Sequence, residues 1–380
     1  MFDSIVSFIK TLYPGEVPVP LHAPRFRGNE KKYLMECIDS TFVSYLGQYV
    51  TQFEKNIQMY TGAGYAVAMV NGTEALHIAL LLAGVTPGNE VITQPLTFVA
   101  TANAISYCGA FPVFVDVNKS TLGLDPEALS IFLELHGNIK EDGHCYNKTS
   151  GRKIAACIPM HTFGHPCKID QVMAICKQYH IPVVEDAAEA LGSFYQGQHA
   201  GTFGDIGILS FNGNKPVTTG GGGILLTKSQ SIAQKAKHLT TTAKTPHNWE
   251  FNHDQVGYNF RLPNVNAAIG CAQMETFPLF LQDKRDTARR YSDFFQQINV
   301  PFVAEPPDAR SNYWLNSIIL DNKKQRDEFL QYANENGVQV RPVWTLMNHL
   351  PMFRSCQCGP LDMADWLEDR LVNLPSSVKS

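Results

Sequence analysis

The sequence predicts an α/β protein: a large domain built on a mainly parallel, seven-stranded sheet covered by helices, followed by a smaller α+β domain. Three observations carry this. Between about Tyr65 and Ser231, short β-rich runs alternate with helix-like runs, the pattern of parallel strands joined by helical crossovers. After Pro263 the texture changes to long helical stretches and then a mixed segment. Finally, 380 residues of 44% hydrophobic content can bury more than one small core.

Taken in order, Phe2, Ile5, Val6, Ile9 and Leu12 stand at helical spacing, while Asp3 and Lys10 interrupt the apolar run. This excludes a signal-peptide core or a membrane span and predicts a docking helix. Residues 1–50 are assigned to a helical segment packing with the small domain, 51–263 to the large domain and 264–380 to the small one. The strand candidates are Tyr65–Val70, Glu90–Thr93, Phe111–Asp116, Ile154–Pro159, Ile181–Glu185, Ile206–Phe211 and Gly223–Thr227. Between them lie helix candidates at Thr73–Ala83, Val99–Cys108, Pro126–Leu135, Ile169–Tyr179 and Gln230–His238. Asp125-Pro126 is a strong helix start, an N-cap oxygen followed by proline at the first helical position. Val265–Met274 and Pro278–Gln297 predict two long helices, and Tyr313–Leu320 and Val338–Val343 two later strands. The polar stretch His136–Arg152 is expected to be an irregular surface excursion.

Lys and Arg number 31 against 35 Asp and Glu, a formal charge of -4, so no broad basic surface is available for nucleic acid or an anionic membrane. An anionic ligand must be met locally. The nine cysteines are odd in number, scattered and mostly set in apolar runs, which predicts free thiols in a reducing compartment, the cytoplasm.

Three segments carry candidate chemistry. Val183-Val184-Glu185-Asp186-Ala187-Ala188-Glu189 places carboxylates at the C-terminal end of a strand, the edge where α/β sheets bind ligands; a turn or N-cap is the bland reading. Ser210-Phe211-Asn212-Gly213-Asn214-Lys215 follows a buried-looking strand and precedes a glycine run, a setting that favours a nucleophilic amine at Lys215. Most lysines are solvated, and four consecutive glycines more often mark a tight turn than a phosphate loop. In Val70-Asn71-Gly72-Thr73-Glu74, a strand passes into an apolar helix whose free N–H groups and Thr73 hydroxyl suit a phosphate; Asn71 also reads as a simple N-cap.

A phosphate cradle, then an aspartate, then a lysine along the chain resemble fold-type I pyridoxal-phosphate enzymes, and more narrowly the DegT/StrS family of sugar-nucleotide aminotransferases. Thr97-Phe98-Val99-Ala100-Thr101-Ala102-Asn103 and Gly257-Tyr258-Asn259-Phe260-Arg261-Leu262-Pro263 add to the resemblance. It implies that Lys215 carries the pyridoxal 5'-phosphate covalently and moves the proton, and that Asp186 pairs with the ring nitrogen so that the ring accepts electrons. It implies further that Phe98 stacks on the ring and that Glu189 lies near the phenolic oxygen, where many relatives carry glutamine. Gly72, Thr73 and Ser210 would hold the phosphate, with Asn259 reaching over from the second subunit of a homodimer whose active site is shared. His161 is expected near the cofactor, and Lys244 and Trp344 near the substrate.

The pair His161 and His165, with Cys157 and Cys167, suggests zinc at first sight, but Gly164 and Pro166 break the helix that would align the imidazoles, so no metal is expected. One departure from the family pattern is Pro216, which biases Lys215 towards extended backbone.

The implied reaction moves an amino group from L-glutamate to a nucleotide-linked 4-keto-6-deoxy sugar. Further stretches, Pro20–Glu30, Leu239–Lys244, Ser311–Asn316 and Arg341–Asn348, resemble the subgroup that makes 4-amino sugars for legionaminic acid from UDP-linked substrates. Perosamine synthases acting on a GDP-sugar are the alternative. A non-catalytic regulatory homologue or a sugar dehydratase, whose equivalent position carries histidine, fits less well because both Lys215 and Asp186 are present.

Overall fold

In the computed structural model, which describes residues 1–379, seven strands lie side by side: β1 (Tyr65–Met69), β2 (Glu90–Thr93), β3 (Phe111–Phe114), β4 (Ile154–Ile158), β5 (Val184–Asp186), β6 (Ile206–Ser210) and β7 (Gly223–Thr227). Their order is β1-β7-β6-β5-β4-β2-β3. Ladders run continuously from β1 to β5 and from β4 to β3. The seam between β4 and β5 is closed by bridges at Cys157–Val183 and Met160–Asp186, where the Asp186 N–H donates to the Pro159 carbonyl at 2.9 Å. All neighbours are parallel except those of β7, which is antiparallel to both β1 and β6.

The strands read as near-continuous apolar runs because both faces are covered. Ile154-Ala155-Ala156-Cys157-Ile158, for example, is buried throughout. On one face lies the helix Gly72–Leu82, whose Ala75, Leu76, Ile78, Ala79 and Leu80 are all buried against the sheet and the Val99–Tyr107 helix. On the other, Phe53 of the helix Gln48–Thr61 packs edge-on to Phe211 at 4.9 Å, within a core that includes Ile224, Leu226 and Phe277.

Val265–Met274 and Pro278–Gln297 form one helix, Asn264–Gln297, with Pro278 inside it, rather than two. Proline removes one backbone donor, but Ala267, Ala268 and Cys271 before it and Phe277, Phe280 and Leu281 around it sit in the same core, so burial holds the axis together. The far half of this helix contributes Tyr291 and Phe295 to a second core, shared with Ile5, Ile9 and Leu12 of the helix Phe2–Leu12 and with Phe329. That core also covers an antiparallel sheet of Asn316–Ile319, Leu371–Leu374 and Arg341–Pro342, in that order. The expected strand Val338–Val343 is thus reduced to two paired residues, with Val338 bridging Val19 instead.

His136–Arg152 is also more ordered than its polarity suggests. Gly137–Ile139 pairs with Cys145–Asn147 in a short hairpin, anchored where the buried Asn147 amide donates to Glu90 at 2.7 Å and Gln357 at 2.8 Å. All nine cysteines are free. Among the described residues, no helix is long and apolar enough to cross a membrane.

Candidate active site

The C-terminal ends of β1, β5 and β6 open onto one cavity of about 290 Å³, at the edge of the sheet where crossovers diverge. Alternation along β5 sends its two carboxylates to opposite sides. Asp186 lines the cavity, whereas Glu185 is fully buried away from it. There Glu185 accepts from His161 Nε2 at 2.9 Å and from the amides of Gly201, Phe203 and Gly204 at 2.8, 2.7 and 2.6 Å.

At the end of β1, Asn71 Oδ1 accepts from the Glu74 amide at 2.8 Å and the Asn71 carbonyl from the Ala75 amide at 3.2 Å. This leaves the Gly72 and Thr73 amides for an anion at the start of an eleven-residue helix. Ser210, at the end of β6, faces them. A Cβ on Gly72 would lie 2.9 Å from the Ser210 Cβ, so the cradle closes only around glycine. The glycine run serves the same approach, since a Cβ on Gly223 would lie 2.3 Å from the Asn71 carbonyl oxygen. It is a close backbone crossing and not itself the phosphate loop.

Asp186 is 2% exposed. Its Oδ2 accepts from the Thr101 hydroxyl at 2.7 Å and its Oδ1 from the Ala188 amide at 3.2 Å. Burial raises its carboxyl above the usual range, and these two donors work against that rise.

Lys215 enters from the turn after β6, where its N–H donates to the Asn212 carbonyl at 3.0 Å. Pro216 does not turn the side chain out: the residue is 9% exposed and lines the cavity. Its Nζ lies 3.1 Å from Glu189 Oε1 and 3.7 Å from the ring centroid of Trp314, so the amine is clamped between a carboxyl and an indole face. Glu189 Oε2 accepts from the Phe163 amide at 2.9 Å. Burial pushes Glu189 up to about 7, with the Lys215 charge opposing. Phe163 is a buried non-glycine residue at φ 55, a conformation its surroundings must impose.

Phe98 and Trp344 complete the cavity wall, their rings 6.1 Å apart. Of the residues singled out in the sequence, Gly72, Thr73, Phe98, Asp186, Glu189, Ser210, Lys215 and Trp344 therefore share one cavity. His161 does not line it. Its Nδ1 accepts from the Cys167 amide at 3.2 Å and its Nε2 engages Glu185, so the ring is spent on the protein interior and has no free nitrogen for a substrate. Lys244 and Asn259 also lie outside the cavity. Lys244 packs over Phe251 at 3.8 Å, and the exposed Asn259 accepts from Arg261 Nε at 2.9 Å. Trp314 and Thr101 were missed as individual site residues, although each stands in a stretch that the family resemblance marks.

Among the described residues, the His, Cys, Asp and Glu side chains that come within metal-binding reach of one another are His349, Asp365 and Glu368, away from this cavity. His161, His165, Cys157 and Cys167 form no such group.

Residues 24–379 match the family model described as the DegT/DnrJ/EryC1/StrS aminotransferase family. The chain is 36% identical over 359 residues to a GDP-perosamine synthase of Escherichia coli, covering 94% of this chain and 93% of that protein. It is also 36% identical to the putative pyridoxal phosphate-dependent aminotransferase EpsN of Bacillus subtilis, over 88% of this chain and 83% of that one. Among solved structures, the aminotransferase TlmJ from Streptoalloteichus hindustanus superposes with a TM-score of 0.85 at 26% identity, covering 94% and 93% of the two chains.

Proposed function

Since the chain belongs to the DegT/DnrJ/EryC1/StrS aminotransferase family, whose members depend on pyridoxal phosphate, we propose that it transfers an amino group from L-glutamate to C4 of a nucleotide-linked 4-keto-6-deoxy sugar. One observation carries the reading. The buried Lys215 amine, the Asp186 carboxylate and the Gly72–Ser210 cradle face the same cavity, as a flat ring with a phosphate tail requires. Pyridoxal phosphate fits this set: the tight approach at Gly72 suits a phosphate among backbone amides, and a buried carboxylate suits a cationic ring nitrogen. When bound, the cofactor supplies an aldehyde for covalent attachment and an electron-accepting ring.

The chain's own residues then have distinct tasks. Lys215 holds and moves the proton at the reacting carbon, since one flexible amine serves as both base and acid. Asp186, held by Thr101 and the Ala188 amide, keeps the ring nitrogen protonated. Glu189, standing where glutamine is usual, holds the Lys215 amine through Oε1 while its Oε2 accepts from the Phe163 amide. Phe98 offers its ring face to the cofactor ring, and Trp344, 6.1 Å from Phe98 and tilted 60° to it, closes the cavity wall. Donor and acceptor take turns in the one cavity, which gives ping-pong kinetics.

The stretches resembling the legionaminic-acid subgroup favour a UDP-linked acceptor. The Escherichia coli relative, a GDP-perosamine synthase, favours a GDP-linked one as the second reading. The cavity is completed in a homodimer in the cytoplasm, with Asn259 and Lys244 serving the partner's site. The exposure of Asn259 and the place of both residues outside their own cavity support this, as do the exposed apolar side chains of Phe42, Leu46, Phe251 and Val256.

The purified protein should be yellow, and incubation with L-glutamate and either UDP- or GDP-linked 4-keto-6-deoxy sugar should give an amino-sugar, detected as a mass change. Lys215→Ala should abolish the visible absorbance and lower turnover by on the order of 10²–10⁴-fold or more. A wild-type protein that neither binds pyridoxal phosphate nor aminates either sugar sinks the proposal.

A further inference from the structure

Lys284 lies on the long helix Asn264–Gln297, outside the cavity, and is 1% exposed. Its Nζ has three partners: the Ser376 carbonyl at 2.6 Å, His22 Nε2 at 3.1 Å and the Trp314 carbonyl at 3.2 Å. An ammonium has three donors, and each is used. Among the described residues no carboxylate pairs with it, since the adjacent Asp283 engages the Lys379 amine at 3.1 Å and the Lys379 amide at 2.9 Å. An apolar side chain would fill this place without desolvating a charge. What lysine adds is a donor aimed at chosen carbonyls.

One of those carbonyls belongs to the residue whose indole touches the nucleophile. Trp314 donates from its ring N–H to the Asn214 carbonyl at 2.6 Å and lays its face 3.7 Å from Lys215 Nζ. It follows Tyr313, a buried non-glycine residue at φ 48, so this turn stands only if its surroundings over-determine it. Its restraints come from the turn itself and from distant segments: the Tyr313 hydroxyl accepts from the Glu305 amide at 2.9 Å, and the Asn312 side-chain amide donates to the Glu189 and Leu191 carbonyls at 2.8 Å. The Tyr313 amide donates to Ser311 Oγ at 3.0 Å and the Trp314 amide to Asn312 Oδ1 at 2.7 Å; in the next peptide group, Lys284 grips the Trp314 carbonyl.

We propose that Lys284 is a positioning residue for the nucleophile: by gripping the Trp314 carbonyl it seats the indole against the Lys215 amine and holds that amine at Glu189. The inference rests on Lys215 being the lysine that carries the cofactor. It adds a residue about which neither the family motifs nor the cavity lining says anything.

The test is a double-mutant cycle in the cofactor-free full-length protein. The readout is the rate at which added pyridoxal phosphate becomes covalently attached, followed by visible absorbance, with borohydride trapping and peptide mass mapping to identify the lysine. Lys284→Met and Trp314→Ala should each slow attachment by on the order of 10- to 100-fold, the scale set by misplacing a reacting group. The double variant should be no slower than Trp314→Ala alone, because both act through one contact. A merely structural Lys284 would lower the melting temperature without this non-additivity. An unchanged attachment rate in Lys284→Met, or effects that multiply in the double variant, overturns the inference. If Lys284→Met does not fold, Lys284→Gln replaces it in the cycle under the same criteria. Failure of the wild-type protein to label Lys215 overturns both this inference and the function on which it rests, whereas labelling with multiplicative effects overturns this inference alone.

Discussion

Glu189 holds two hydrogen bonds of different kind, one from a backbone amide on Oε2 and one with the Lys215 amine on Oε1. With burial raising it to about 7 from an ordinary 4.5, the folded protein keeps a proton that the unfolded chain has released. Its contribution to stability is therefore complete below about 4.5 and is lost as pH rises to about 7. Urea unfolding of the cofactor-free protein at pH 5 and pH 7 should show a smaller fall in stability for Glu189→Gln than for wild type; equal falls would place the proton elsewhere. Thr101 matters through Asp186. Thr101→Val removes the 2.7 Å bond to Oδ2, costs about 1.5–3 kcal/mol as a hydrogen bond to a charged group, and should weaken cofactor binding about tenfold or more by equilibrium dialysis. At this scale Lys215, Asp186 and the Gly72-Thr73 pair were legible because their chemistry follows strand ends in a recognisable order. Thr101, Trp314 and Lys284 were not. Each works through contacts with residues 30 to 262 positions away, and an isolated threonine, tryptophan or helical lysine carries no mark of that.

Strands and helices of the large sheet were legible to within a few residues at their ends, because apolar runs bounded by Gly, Pro and Asn state both type and place. The long helix through Pro278 was not, since the rule that proline interrupts a helix is local and the packing that overrides it is not. The hairpin Gly137–Ile139 with Cys145–Asn147 escaped for a related reason: its strands have three residues each, too few for alternation to be visible, and its anchor is the distant Glu90. Capping offers a clean test at this scale. Asn322 Oδ1 accepts from the Gln325 amide at 3.0 Å at the start of the helix Lys323–Glu335, remote from the cavity. Asn322→Ala should lower stability by about 1 kcal/mol in thermal or urea unfolding and leave cofactor binding unchanged. A loss of cofactor with no loss of stability would contradict the assignment of that helix to the scaffold.

For the molecule as a whole, the two-part α/β architecture was legible, while the strand order was not, because periodicity says nothing of which strand lies beside which. A site shared between two copies would also make the assembly testable by mixing. Lys215→Ala and Asn259→Ala, each inactive alone, should regain activity when their subunits exchange, up to about a quarter of wild type if pairing is random in a two-fold dimer. No recovery despite verified exchange would assign Asn259 no role in the partner's cavity. The antiparallel strand β7 has a consequence for how such a chain is made. The first and sixth strands share no ladder; the seventh joins them, pairing Tyr65 with Thr227 on one side and Ile206 with Thr227 on the other. A nascent polypeptide thus leaves the ribosome with a slot in its sheet until residue 227 has emerged. Before then the sheet beneath the two halves of the anion cradle is incomplete, so its full closure around the vitamin waits for a late, long-range zipping event.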